Sequence, residues 1–270
     1  MLVEASWRLG DRLLFLTSPN MRGDDVAELQ SSLGRIGFDC GRVDGIFGPN
    51  TANAVRDFQN NCGVAADGTF GAATLQSIAR LSRQTGSGPG VSVIRERERL
   101  RTSGRVASLR GFRVVIGQFG GLSTVTRAIS RQLRQDGAVV VSIDEPDPIA
   151  QALVANEFRA HVYVGFETRL DESQIVAFYA VPTFESAGGR SLAERLGAGL
   201  QTLTSIQPCV QGMRLQVLRE TRMPAVLCSL GSVRQTVDNA TEIAQVVRDA
   251  LASWATQPLS SGIPSTAKAP

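Results

Sequence analysis

The chain is 270 residues long, 43% hydrophobic and 20% charged, with a net charge of +3, which is enough for two domains with separate apolar cores and excludes wholesale disorder. Its arginines are scattered among acids instead of forming a basic stripe with interleaved aromatics, which excludes a dedicated nucleic-acid binder. No run reaches the ~20 apolar residues of a spanning helix, and Glu4, Arg8, Asp11 and Arg12 break up the opening segment, which argues against a signal peptide and for a cytoplasmic chain.

Residues 1–16 read as an N-terminal arm with Trp7 and Leu9 as its packing groups. Residues 17–83 read as a helical domain. From Asp24, the residues Val26, Leu29, Leu33 and Ile36 recur at steps of three and four, which predicts a helix capped by Asp24 or Asp25 and ended by Gly37. A second helix is predicted from Pro49 to about Asn61, with Ala54, Val55 and Phe58 inward. A third runs from Ala72 to about Arg83, with Leu75, Ile78 and Leu81 inward.

The entries to the second and third helices repeat one phrase. Asp44-Gly45-Ile46-Phe47-Gly48-Pro49-Asn50-Thr51 returns as Asp67-Gly68-Thr69-Phe70-Gly71-Ala72-Ala73-Thr74. Asp44 and Asp67 are suited to accept backbone N–H bonds in a turn, Gly45 and Gly68 to take positive φ, and Phe47 and Phe70 to staple the following helix. With Leu29-Gln30 before the first copy and Phe58-Gln59 between the two, the region resembles the three-helix peptidoglycan-binding domain family. The resemblance implies that Asp44, Gly45, Phe47, Gly48, Asp67, Gly68, Phe70 and Gly71 form a wall-binding motif; the same residues also suffice as a folding device. Ala5-Ser6-Trp7-Arg8-Leu9-Gly10 resembles the end of a third helix from a preceding copy, so the arm is either a remnant of an earlier repeat or native to this domain. Cys40 and Cys62 precede the two phrases by similar distances, which leaves a disulfide or two free thiols open.

Residues 84–111 read as a linker: a Gly/Ser/Pro-rich stretch from Gln84 to Gly90, then the charged run Arg95 to Arg101 as a short solvated helix. Residues 112–256 alternate apolar runs with helical stretches. Strands are predicted at 113–117, 138–143, 161–165, 175–181, 214–218 and 225–229, and helices at 123–135, 148–156, 190–204 and 239–254, an α/β layered domain. Ser123 is the expected cap of the first of these helices and Gly137 its end. Residues 257–270 read as a disordered tail, in which Ser260, Ser261, Ser265 and Thr266 are accessible to phosphorylation.

Val114-Val115-Ile116 followed by Gly120-Gly121, and Thr221-Arg222-Met223-Pro224-Ala225-Val226-Leu227 followed by Gly231, give this second half a resemblance to the zinc-dependent N-acetylmuramoyl-L-alanine amidases. The whole chain is then multidomain: a small all-α three-helix peptidoglycan-binding domain plus an α/β layered domain of the zinc amidase type. The order of module, linker and α/β domain is similar to that of actinobacterial homologues that regulate peptidoglycan precursor synthesis from the cytoplasm.

The resemblance implies zinc held by two histidines and a glutamate, with a further glutamate assisting the metal-bound water. Carried over residue by residue, Phe119 stands in the place of the first histidine, about Gly165 in that of the second, and Ser229 in that of the terminal glutamate. No Asp or Glu occurs between Arg99 and Gln135 to supply the ligand glutamate. His161 begins an apolar strand and reads as structural, and Cys228 alternates to the strand face opposite Ser229. The glycine-rich stretch Gly117 to Gly121 lacks dinucleotide spacing and a Walker lysine, and Ser229-Leu230-Gly231 is not a nucleophile elbow. The expected protein is a catalytically degenerate amidase homologue with no cofactor. Its implied ligands are peptidoglycan fragments or precursor and its implied protein partner is a precursor-synthesis enzyme, with no nucleic acid and no membrane span. The alternative is an active zinc amidase hydrolysing peptidoglycan in the cell wall.

Overall fold

The computed structural model describes residues 7–82, 100, 108–169, 173–181, 184–204 and 206–259. Helices α1 (Asp24–Arg35), α2 (Pro49–Cys62) and α3 (Ala72–Ser82) make the first domain. Val26, Leu29, Leu33, Phe47, Val55, Phe58 and Phe70 fill its core. The cap of α1 departs from expectation. Its N-cap is Gly23 with no side-chain bond, because Asp25 is instead buried against Arg12 of the arm, 2.7 Å from its Nε. The arm packs on this domain. Leu14 and Phe70 exchange backbone hydrogen bonds of 3.0 and 2.7 Å, so the arm straps the second repeated turn, and Arg22, just before α1, bridges Ile46 in the first.

The second domain is built on a seven-stranded sheet. Its strands are β1 (Arg113–Phe119), β2 (Val139–Asp144), β3 (Val162–Thr168), β4 (Ile175–Val181), β5 (Phe184–Glu185), β6 (Cys209–Met213) and β7 (Ala225–Leu230). The order is β2-β1-β3-β7-β4-β5, with β6 also paired to β4. Strands β2, β1, β3 and β7 run parallel, and β4 is antiparallel to β7. Parallel strands need helical crossovers that cover both faces, so their sequences are continuously apolar. Helices α4 (Ser123–Gln135), α6 (Ala187–Gln201) and α9 (Ala240–Thr256) pack on Val114, Ile116, Val164 and Phe166. On the other face α5 (Pro148–Glu157) and α7 (Gln216–Glu220) pack on Val115, Tyr163, Tyr179 and Leu227.

Several expectations are corrected. The strand expected at 214–218 is β6 at Cys209–Met213 followed by α7, because Val217 and Leu218 are buried as neighbours on a short helix. The helix expected from 239 is preceded by α8 (Val233–Asp238), capped by Ser232, and the two are divided at Asn239. The N-cap of α4 is Leu122, not Ser123, whose hydroxyl lies between Gln118 and Asp144. Gly137 does end α4, at φ 85° with its N–H on Arg134 O. Pro258 is buried and Leu259 packs on the core. The linker expectations at Gln84 to Gly90 and, apart from Leu100, at Arg95 to Arg101 lie outside the described residues, as do Ser260, Ser261, Ser265 and Thr266.

The two domains share a seam at the amino end of β7. Ala27 and Val43 of the first domain join the apolar cluster of Tyr179, Phe184, Val217 and Leu218. The Arg42 guanidinium lies 5.0 Å from the Tyr179 ring centroid and donates to Leu218 O at 3.2 Å. Ion pairs Arg22–Glu220 and Arg214–Asp24 flank it.

Candidate functional site

The carboxyl ends of β1, β3 and β7 place three side chains in one row. Phe119 pairs in register with Glu167, and Glu167 with Ser229; antiparallel β4 adds Ile175 opposite Ser229. Strand alternation puts this row on the face that carries Val115, Tyr163 and Leu227. The Ser229 hydroxyl is buried and donates to the Glu167 carboxylate. Gly120 and Gly121, at φ 95° and 71°, turn the chain from β1 towards α4 in a conformation open to glycine.

Gly165 is not a member of the row. It lies two residues upstream, opposite Gly117 and Leu227, and its place is taken by Glu167. Its smallness has a separate cause, since a Cβ there would stand 2.9 Å from Tyr163 Oη. At Gly117 a Cβ would run into Gln151 Oε1 and the same phenol. The two glycines make room for a buried ladder: Tyr163 Oη donates to Gln151 Oε1 at 2.7 Å, and Gln151 Nε2 donates to Gln118 O at 2.8 Å and Glu145 O at 2.6 Å. Burial, with the Glu167 charge adding to it, raises the Tyr163 pKa well above its usual range and keeps the phenol a donor. Sequence reasoning missed Glu167 because the strand runs three residues past the expected end, to Thr168; the register of neighbouring strands identifies it.

A catalytic zinc needs about three imidazole, carboxylate or thiolate ligands, and a structural one about four. The row supplies one carboxylate between an aromatic ring and a hydroxyl. Asp144, at the end of β2, pairs with Gln118 and so belongs to the opposite face, where it accepts from Ser123 Oγ at 3.3 Å. Cys228 also faces the opposite core, as alternation predicted, and burial pushes its thiol up to about 12. His161 stands at the other end of β3. Its Nδ1 accepts from Arg113 N at 2.9 Å and its ring stacks on Phe112 at 4.8 Å; burial, then the Arg113 charge, lowers its pKa. Among the described residues no three of His, Cys, Asp and Glu gather as a metal-binding group. The side chains of this row do not fit the zinc of the amidases.

In the helical domain the motif is organised by two buried glutamines. Gln30 Nε2 donates to Asp44 Oδ1, Ile46 O and Thr51 Oγ1 at 2.9, 3.1 and 3.1 Å, while its Oε1 accepts from Asp44 N and Gly45 N. Gln59 repeats the pattern with Asp67 Oδ1, Thr69 O and Thr74 Oγ1 at 3.0, 2.9 and 3.1 Å, and accepts from Gly68 N. Gly45 and Gly68 take φ of 72° and 76°, and Phe47 and Phe70 are wholly buried. Gly48 is the extended N-cap of α2, and Gly71 O accepts the Leu75 N–H at the start of α3. The copies differ in setting: burial raises the Asp44 pKa, whereas the Thr69 N–H lowers that of the exposed Asp67. Cys40 and Cys62 are free thiols, not a bridge, and burial pushes Cys40 up to about 12.

Residues 22–78 match the family described as "Putative peptidoglycan binding domain". Along nearly the whole length, the N-acetylmuramoyl-L-alanine amidase CwlM of Mycobacterium tuberculosis is 32% identical over 284 residues, covering 93% of this chain and 69% of that protein. The chain belongs to the CwlM family. A spore cortex-lytic enzyme of Bacillus cereus is 46% identical over 61 residues, 23% of this chain and 24% of that protein. The structure of the N-acetylmuramoyl-L-alanine amidase AmiC2 of Nostoc punctiforme is similar with a TM-score of 0.43 and 16% identity, over 54% of this chain and 98% of that one. Among the described residues no helix is long and apolar enough to cross a membrane.

Proposed function

We propose that this chain is a peptidoglycan-directed binding protein whose amidase-type domain recognises its ligand without cleaving it. The observation that carries the reading is the row Phe119, Glu167, Ser229 at the carboxyl end of the sheet. Its lone carboxylate is already engaged by the Ser229 hydroxyl, and His161 is committed to the Arg113 backbone at the opposite end of β3. A hydroxyl bonded to a carboxylate, with no imidazole beside it, is a weak nucleophile. The match of residues 22–78 supports peptidoglycan fragments or a precursor as ligand. The protein partner in this reading is a precursor-synthesis enzyme, met in the cytoplasm.

A second reading, an active zinc amidase in the cell wall, is favoured by the relative CwlM, which is named an N-acetylmuramoyl-L-alanine amidase. Incubating the purified chain with sedimented peptidoglycan in zinc-containing buffer separates the two. Retention on the sediment without release of stem peptides is expected. Zinc-dependent release of stem peptides would establish the hydrolase, and neither retention nor release would remove peptidoglycan as the ligand.

A further inference from the structure

The solvent side of α4 carries Arg127, Arg131 and Arg134, spaced by four and three residues and therefore on one flank of the helix. All three are exposed. Arg127 Nε donates to Ser123 O at 3.3 Å and Arg134 Nη2 to Val140 O at 2.9 Å, and among the described residues none of the three is ion-paired. Asp136, just beyond the helix, is turned to Arg248, and Asp144 accepts from Ser123. The guanidinium flank thus faces a groove of about 510 Å³ between α4 and the outer strand β2, lined by the three arginines with Ser130, Gln135 and Ser142. Ser130 is 2% exposed, and its hydroxyl has no hydrogen-bond partner among the described residues. A buried hydroxyl without a partner beside three uncompensated cations is an arrangement that an anion would complete.

We infer that this groove binds a phosphate-bearing small molecule, with Arg127 and Arg131 as its charged clamp and Ser130 as the hydroxyl at its floor. Planar guanidinium groups match phosphate oxygens in pairs, which ammonium groups do not. The groove is concave, and none of the large exposed apolar side chains, Val139 and Leu153 among them, lines it, so a bilayer surface has nothing to insert. An acidic peptide added as a strand to β2 is disfavoured as well, because Arg134 already occupies Val140 O on that strand. The site is separate from the row of Phe119, Glu167 and Ser229, and it stands whether or not that row is catalytic.

Titration of the full chain with inorganic pyrophosphate by calorimetry tests the assignment. One saturable site is expected, weakening as salt rises, with affinity lowered about tenfold or more in Arg127→Glu/Arg131→Glu. These exposed positions leave the fold intact, checked by circular dichroism. Ser130→Ala is expected to weaken pyrophosphate several-fold while leaving the denaturation midpoint unchanged or higher, since it deletes an unpaired hydroxyl. Equal binding by the double variant would overturn the proposal. So would binding of polyglutamate or of phosphatidylglycerol vesicles as tightly as pyrophosphate, with the same arginine dependence.

Discussion

Gln30 and Gln59 explain why the repeated phrase is repeated: each turn needs an amide that donates to an Asp, a carbonyl and a Thr while accepting from the backbone. Gln30→Ala strands several buried polar groups at once and should destabilise the chain by about 2–4 kcal/mol in denaturant unfolding; a loss below the error of the measurement would refute that role. Two tyrosines give opposite expectations. Tyr163→Phe leaves Gln151 Oε1 without its donor and should cost about 1–3 kcal/mol. Tyr179→Phe removes a buried hydroxyl that has no hydrogen-bond partner among the described residues and should be neutral or stabilising. His161 sets a pH dependence. Its folded pKa is lowered, so the unfolded chain binds the proton first: stability is fully present above the ordinary imidazole value of about 6.5 and falls as the pH drops below it. Midpoints followed from pH 8 to pH 5 should show this decline in the parent and less of it in His161→Gln.

At the scale of elements, most of the architecture was legible in the sequence because its periodicities were unmixed. Val26, Leu29 and Leu33 mark α1 as surely as Val114 and Ile116 mark β1. The failures occurred where packing overrode local pattern. Leu215, Val217 and Leu218 read as a strand, yet α7 uses Val217 and Leu218 together to close the domain seam. The position of the candidate site was legible from the Gly120-Gly121 turn and the last strand, and Phe119 and Ser229 do share a row. Gly165 lies two residues upstream of that row on the same face, because the length of β3 is set by pairing with β1 and β7, which no local pattern reports. Both Gly165 and Gly117 answer to Tyr163: Gly117→Ala, which drives a methyl into the Tyr163–Gln151 pair, should cost about 1–3 kcal/mol by overpacking. Unchanged stability would show that the ladder is free to relax.

For the whole molecule, the seam decides which parts of the helical domain remain available. The first repeated turn is set against the α/β domain through Val43 and Arg42, while Asp67 in the second stays exposed. The ion pairs at Arg22 and Arg214 contribute on the order of 0.2–1 kcal/mol each at their partial exposure, with the contacts of Ala27 and Val43 supplying apolar burial. Arg22→Glu/Arg214→Glu should therefore split one calorimetric unfolding transition into two; a single unshifted transition would mean that the domains are coupled by other contacts. The central claim concerns the opposite end of the sheet, where a Phe, a Glu and a Ser occupy the row expected to hold metal ligands. It is tested most directly by the zinc content of the full chain after equilibration with excess zinc and gel filtration. The account predicts well under one zinc per chain, unchanged in Glu167→Ala; one tightly held zinc per chain that is lost in Glu167→Ala would contradict it.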